Sequence, residues 1–115
     1  MALRELQGLA EDYGKSVLDE LQRKQDLASV QAELKEIEIL ALRTASDAGE
    51  IDGKNAEARK LQSAAVIADS KACASARYSV DNCQCEVDKA RAECARLDAE
   101  IGLTKAWLYS QARIG

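Results

Sequence analysis

The sequence predicts an all-α fold, specifically an antiparallel two-helix coiled-coil hairpin, and three observations carry that reading. Proline is absent from the 115 residues, and Ala, Glu, Lys, Leu, Arg and Gln dominate, which is the composition of long helices rather than of sheets. From Val66 to Leu108 every seventh residue is apolar: Val66, Cys73, Val80, Val87, Cys94, Ile101 and Leu108. A short polar stretch, Gly49-Glu50-Ile51-Asp52-Gly53-Lys54-Asn55, separates this segment from an equally helical N-terminal half. The whole chain reads as one domain with helix 1 over about residues 2–48, a bend over 49–55 and helix 2 over about 56–112.

In helix 1, Leu6, Leu9, Tyr13 and Val17 lie on one stripe with Leu18 and Leu21 beside it, and Leu27, Val30, Leu34, Ile37 and Ala41 form a second. The two are out of step. Between them Gln22-Arg23-Lys24-Gln25-Asp26 is wholly polar, which marks either a stutter in one helix or a break between two. The absence of Gly and Pro there, and the spacing of Glu11–Lys15, Asp19–Arg23 and Glu20–Lys24, favour continuity. Gly49 is placed to take the left-handed conformation that ends a helix, and Asn55 or Asp52 to cap the start of the next. This connection is short enough to lay residues 1–47 antiparallel to about 56–103, with the last dozen residues extending past the end of helix 1.

Helix 2 carries the packing seam. Three residues after five of its heptad positions stand Ala76, Cys83, Ala90, Leu97 and Thr104, so Cys73, Ala76, Val80, Cys83, Val87, Ala90, Cys94, Leu97 and Ile101 form one narrow line of mostly small side chains. Small residues let helices approach closely, which suits the Leu and Ile of the Leu27–Ile37 stripe as the facing surface. A two-helix hairpin buries only one face of each helix, so dimerisation into a four-helix bundle is expected.

Composition narrows the functions. With no His, neither a Ser-His nor a Cys-His nucleophile pair can be built, and a metal site would lack the commonest nitrogen ligand. No nucleophile stands near a base in a recognisable pattern, so no catalytic, metal or cofactor residues are assigned and an enzyme is not expected. Net charge is −4; residues 1–47 hold ten acidic and six basic side chains, and residues 56–115 eight and nine. That balance disfavours a general nucleic-acid coat. No run approaches the ~20 apolar residues of a membrane span, and no leader pattern opens the chain, so a soluble, cytoplasmic protein is expected.

Three groups of residues invite a functional reading. All four cysteines lie on helix 2: Cys73, Cys83 and Cys94 on the seam, Cys85 outside it. Their spacing does not bring two together within one helix at disulfide distance, and Cys83-x-Cys85 does not splay into two zinc ligands, so they read as small hydrophobes, with a bridge across a dimer axis through Cys83 or Cys94 as the alternative. The bend fails as a phosphate loop, with three residues between its glycines and Asn55 after Lys54, and as a calcium loop, with Ala48 and Arg59 where end ligands belong. Lys105, Trp107, Tyr109 and Arg113 form an aromatic, basic and acid-free C-terminal segment, a candidate contact for a partner.

The bend also carries a resemblance. Ile51-Asp52-Gly53-Lys54-Asn55-Ala56-Glu57-Ala58-Arg59, set between an acidic Leu-rich helix and an Ala-rich one, resembles a motif of small uncharacterised bacteriophage and prophage proteins that are helical hairpins with this motif at the bend. Ala58 departs from the second Glu often found there, and the cysteine content is unusual. The resemblance covers about nine residues closely; it implies a viral origin, hence the host cytoplasm, and supplies no activity. The expected function is a non-enzymatic interaction or structural protein, a homodimer with an unidentified protein partner and no cofactor. The alternative is an accessory factor in phage DNA replication or recombination that touches nucleic acid through Lys105 and Arg113.

Overall fold

A computed structural model describes the backbone of residues 2–114 and the side chains of residues 3–113. The fold is an all-α helical hairpin of three helices, α1 (Ala2–Asp47), α2 (Ala56–Asp69) and α3 (Lys71–Ile114). The chain groups into two compact units: one runs to Gln25 and resumes from Cys85, the other spans Asp26–Gln84. No helix among the described residues is long and apolar enough to cross a membrane.

Helix α1 is continuous through Gln22–Asp26. Its inward positions advance in steps of three and four along its whole length, through Leu6, Leu9, Tyr13, Ser16, Glu20, Arg23, Leu27, Val30, Leu34, Ile37, Ala41 and Ala45, each at least partly buried. The two apolar stripes are therefore one face, and the apparent mismatch comes from three polar residues, Ser16, Glu20 and Arg23, occupying inward positions. Val17, Leu18 and Leu21, expected on or beside the inner stripe, are exposed. Gly8 and Gly14 have open space where a Cβ would stand. Replacing either with Ala should stabilise the protein by about 0.5–1 kcal/mol, read by thermal or urea unfolding, because Ala fits the helix and restricts the unfolded chain.

The C-terminal end of α1 closes as expected. Gly49 takes φ 78°, its N–H bonding to the Ser46 carbonyl at 3.1 Å while the Glu50 N–H reaches Ala45 at 2.9 Å. This double bond pattern satisfies carbonyls left free at a helix end.

The second arm differs from the expected single helix over 56–112: it breaks at Ser70. There the backbone is extended (φ −77°, ψ 120°), and the Ser70 hydroxyl accepts the Cys73 N–H at 3.2 Å, acting as N-cap of α3. Arg77 spans the joint, its guanidinium donating to the carbonyls of Cys73 at 3.5 Å and Ile67 at 3.1 Å. No Gly or Pro is needed, since serine offers the backbone an alternative partner and arginine takes up the freed carbonyl.

Each unit packs α1 antiparallel to α3. In the unit that includes the start of α1, Ser16 meets Cys94 and Arg23 meets Glu86. Its interior holds Val87, Ala90 and Leu97, with no more than 6% exposure, flanked by half-buried Cys94, Ile101 and Leu108. In the Asp26–Gln84 unit, Val30 and Ile37 share a groove with Ala72 and Ala76, and Cys73 and Ala45 are buried. The Leu27–Ile37 stripe, expected to face the seam, therefore meets only its early part; from Val87 onward the seam lies in the same unit as the first turns of α1.

Candidate functional site

The bend is built around a residue that the motif does not contain. Asn55 caps α2, its Oδ1 accepting the Ala58 N–H at 2.8 Å. Gln62, one turn further on, accepts the Gly53 N–H through Oε1 at 2.8 Å and donates from Nε2 to Asp52 Oδ1 at 2.9 Å. Arg59 donates to the Gly53 carbonyl at 3.4 Å. The polar groups of Asp52, Gly53, Asn55 and Arg59 thus bond to one another and to Gln62. Ile51 is half-buried, and Lys54 and Glu57 are exposed.

Gly53 is required by close approach. A Cβ there would lie 2.7 Å from the Ala58 Cβ and 2.9 Å from the Arg59 backbone nitrogen. Gly53→Ala should therefore displace the first turn of α2 and cost roughly 1–2 kcal/mol. Chemical denaturation with unchanged stability would show that the bend has room to spare.

The cysteines are all free thiols: Cys73 is buried, Cys83 and Cys94 half-buried and Cys85 exposed. Among the described residues no three Cys, Asp or Glu side chains come together as metal ligands would. Cys94 has polar company that the sequence did not foretell. Its thiol lies 3.2 Å from the Ser16 hydroxyl. The hydrogen bond from Lys24, 2.8 Å away, holds the Glu20 carboxyl below the usual carboxylate range, with smaller contributions from Arg91 and Cys94. Arg23 adds an ion pair within α1 to Asp19 at 3.5 Å and one across to Glu86 at 3.9 Å. Of these, the Ser16–Cys94 and Arg23–Glu86 contacts run between α1 and α3 and favour one register of the two helices. On the outside of α3, Arg96 pairs with Glu93 and Glu100, and Lys89 with Glu86.

Exposed apolar side chains form the other notable surface. Among the described residues only Ala45, Cys73, Val87, Ala90 and Leu97 are fully buried hydrophobics, whereas Leu18 is 66% exposed, Leu21 52% and Val17 43%. Leu3, Val17, Leu18 and Leu21 fall along one side of α1, about a quarter turn or more from its inner face. The C-terminal candidates divide between two sides of α3. Lys105, Tyr109 and Arg113 follow one another at intervals of four, all exposed, while Trp107 stands with Leu103 on the other side. Trp107 lies with Glu5, Leu103 and Thr104 around a shallow groove, so the first turns of α1 reach it and only the residues beyond form an overhang, shorter than the expected dozen. Comparison with protein-family models, curated proteins and solved structures finds no match for this chain.

Proposed function

We propose that this is a non-enzymatic interaction protein of phage type, a helical hairpin that self-associates through the outer side of α1 and presents its remaining faces to a protein partner in the host cytoplasm. The observation that carries the reading is the inversion along α1 between Ser16 and Arg23. There polar Ser16, Glu20 and Arg23 are partly buried on the side of α1 that meets α3, while apolar Leu18 and Leu21 and, to a lesser degree, Val17 are exposed. A helix that served only its own hairpin would reverse that assignment, because an exposed contiguous apolar stripe gains nothing from water and a polar inner stripe gives up burial. A second hairpin laid along this stripe would cover it, as in a four-helix bundle.

The test is Leu18→Glu combined with Leu21→Glu. Both positions are exposed in the single chain, so helix content by circular dichroism should be unchanged, while sedimentation should show a smaller assembly than wild type at the same concentration. An assembly unaffected by these charges would place its contact elsewhere.

A further inference from the structure

We infer that the groove between the first turns of α1 and the end of α3 receives the Lys105–Tyr109–Arg113 stripe of a second copy of this chain, linking copies head to tail. The inference deepens the self-association reading and rests on it, naming a contact separate from the Leu18 and Leu21 stripe.

The groove, ≈ 530 Å³, has Gly8, Leu9 and Leu103 as its apolar part and Glu5, Asp12 and Glu100 as its acidic rim. Gly8 opens it: nothing lies within 4 Å of where its Cβ would stand, although glycine inside a helix costs about 1 kcal/mol relative to alanine. Glu100 is already paired with Arg96, which leaves Glu5 and Asp12 as the acids set to attract. Leu103 and Trp107, 73% and 54% exposed, stand one turn apart beside them. The groove thus asks for a helix with basic groups around an apolar or aromatic anchor.

The chain carries such a helix. Lys105, Tyr109 and Arg113 lie at i, i+4 and i+8 on α3, and Tyr109 is 74% exposed, a large, rigid anchor between two cations. Tyr109 and Trp107 are two residues apart, hence roughly 160° apart around the helix. The stripe therefore cannot enter the groove of its own copy, and donor and acceptor surfaces lie on different sides of α3. Surfaces so placed join copies heterologously rather than as a two-fold pair.

Trp107 is the only tryptophan in the sequence and lines an adjoining groove that shares Glu5, Leu103 and Thr104 with this one, so its emission reports occupancy there rather than at Leu18 and Leu21. Two charge-reversal variants test the contact, Glu5→Lys with Asp12→Lys in the groove and Lys105→Glu with Arg113→Glu in the stripe, with helix content checked for each. Wild-type emission should shift to the blue with rising protein concentration, and each variant should need about tenfold more protein or greater for the same shift. An equimolar mixture of the two should respond like wild type, because each supplies the surface complementary to the other. Emission that ignores concentration, variants that match wild type, or helical variants whose mixture fails to recover would each overturn the inference. If sedimentation shows dimers while Trp107 stays silent, the α1 reading stands and this contact falls; a protein monomeric by both measures removes both.

Discussion

Leu97→Ala should lower the free energy of unfolding by about 2–3 kcal/mol, the lower part of the usual range for removing a buried leucine side chain. Leu97 is 3% exposed and, among the described residues, one of three buried residues in its unit. The lower part of the range applies because the core is one side chain deep and water can reach its edges, so the space left behind closes partly. Thermal unfolding at fixed protein concentration should fall by roughly 10 °C. A change within the scatter of surface substitutions would mean that α3 does not pack on α1 here.

The second large effect runs the opposite way in volume. Ala90 is 6% exposed between Val87 and Cys94, where small side chains let the two helices approach. Ala90→Leu should force them apart and cost about 1–3 kcal/mol. Ala92, two residues on and exposed, supplies the control: Ala92→Leu changes the same atoms without the squeeze and should alter stability by less than ~0.5 kcal/mol. Equal effects at the two positions, measured by urea unfolding, would remove the distinction between seam and surface on which the packing rests.

Much of the packing was legible because periodicity reports it directly. The burial of Cys73, Val87, Ala90 and Leu97 follows the heptad positions, and Gly49 and Asn55 end and begin helices for local reasons that sequence displays. Three features were not legible. The break at Ser70 carries no Gly or Pro, lies between two residues in heptad step, Val66 and Cys73, and depends on Arg77, seven positions along α3. Gln62 lies outside the bend motif, yet two of the bend's side-chain hydrogen bonds run through it. The inward face between Ser16 and Arg23 was hidden because hydrophobicity was the guide and the inward residues there are polar. The signal that could have found it is the unbroken three-and-four spacing from Tyr13 to Leu27 through Ser16, Glu20 and Arg23, which becomes visible once identity is set aside and only position is counted.

That inversion is also the ground of the proposed self-association. Placing partly exposed Ser16, Glu20 and Arg23 and the half-buried Cys94 thiol along the seam gives up apolar contact there, and Val17, Leu18 and Leu21 stand exposed. On the proposed reading, a partner helix would restore the burial that the hairpin forgoes. Sedimentation equilibrium over a wide concentration range tests this most directly. The mass should rise from the 12.5 kDa of one chain as concentration increases, and the Leu18→Glu, Leu21→Glu protein should show a smaller mass than wild type at each concentration while keeping its helix content. A wild-type protein that remains a single 12.5 kDa species at every concentration would contradict it.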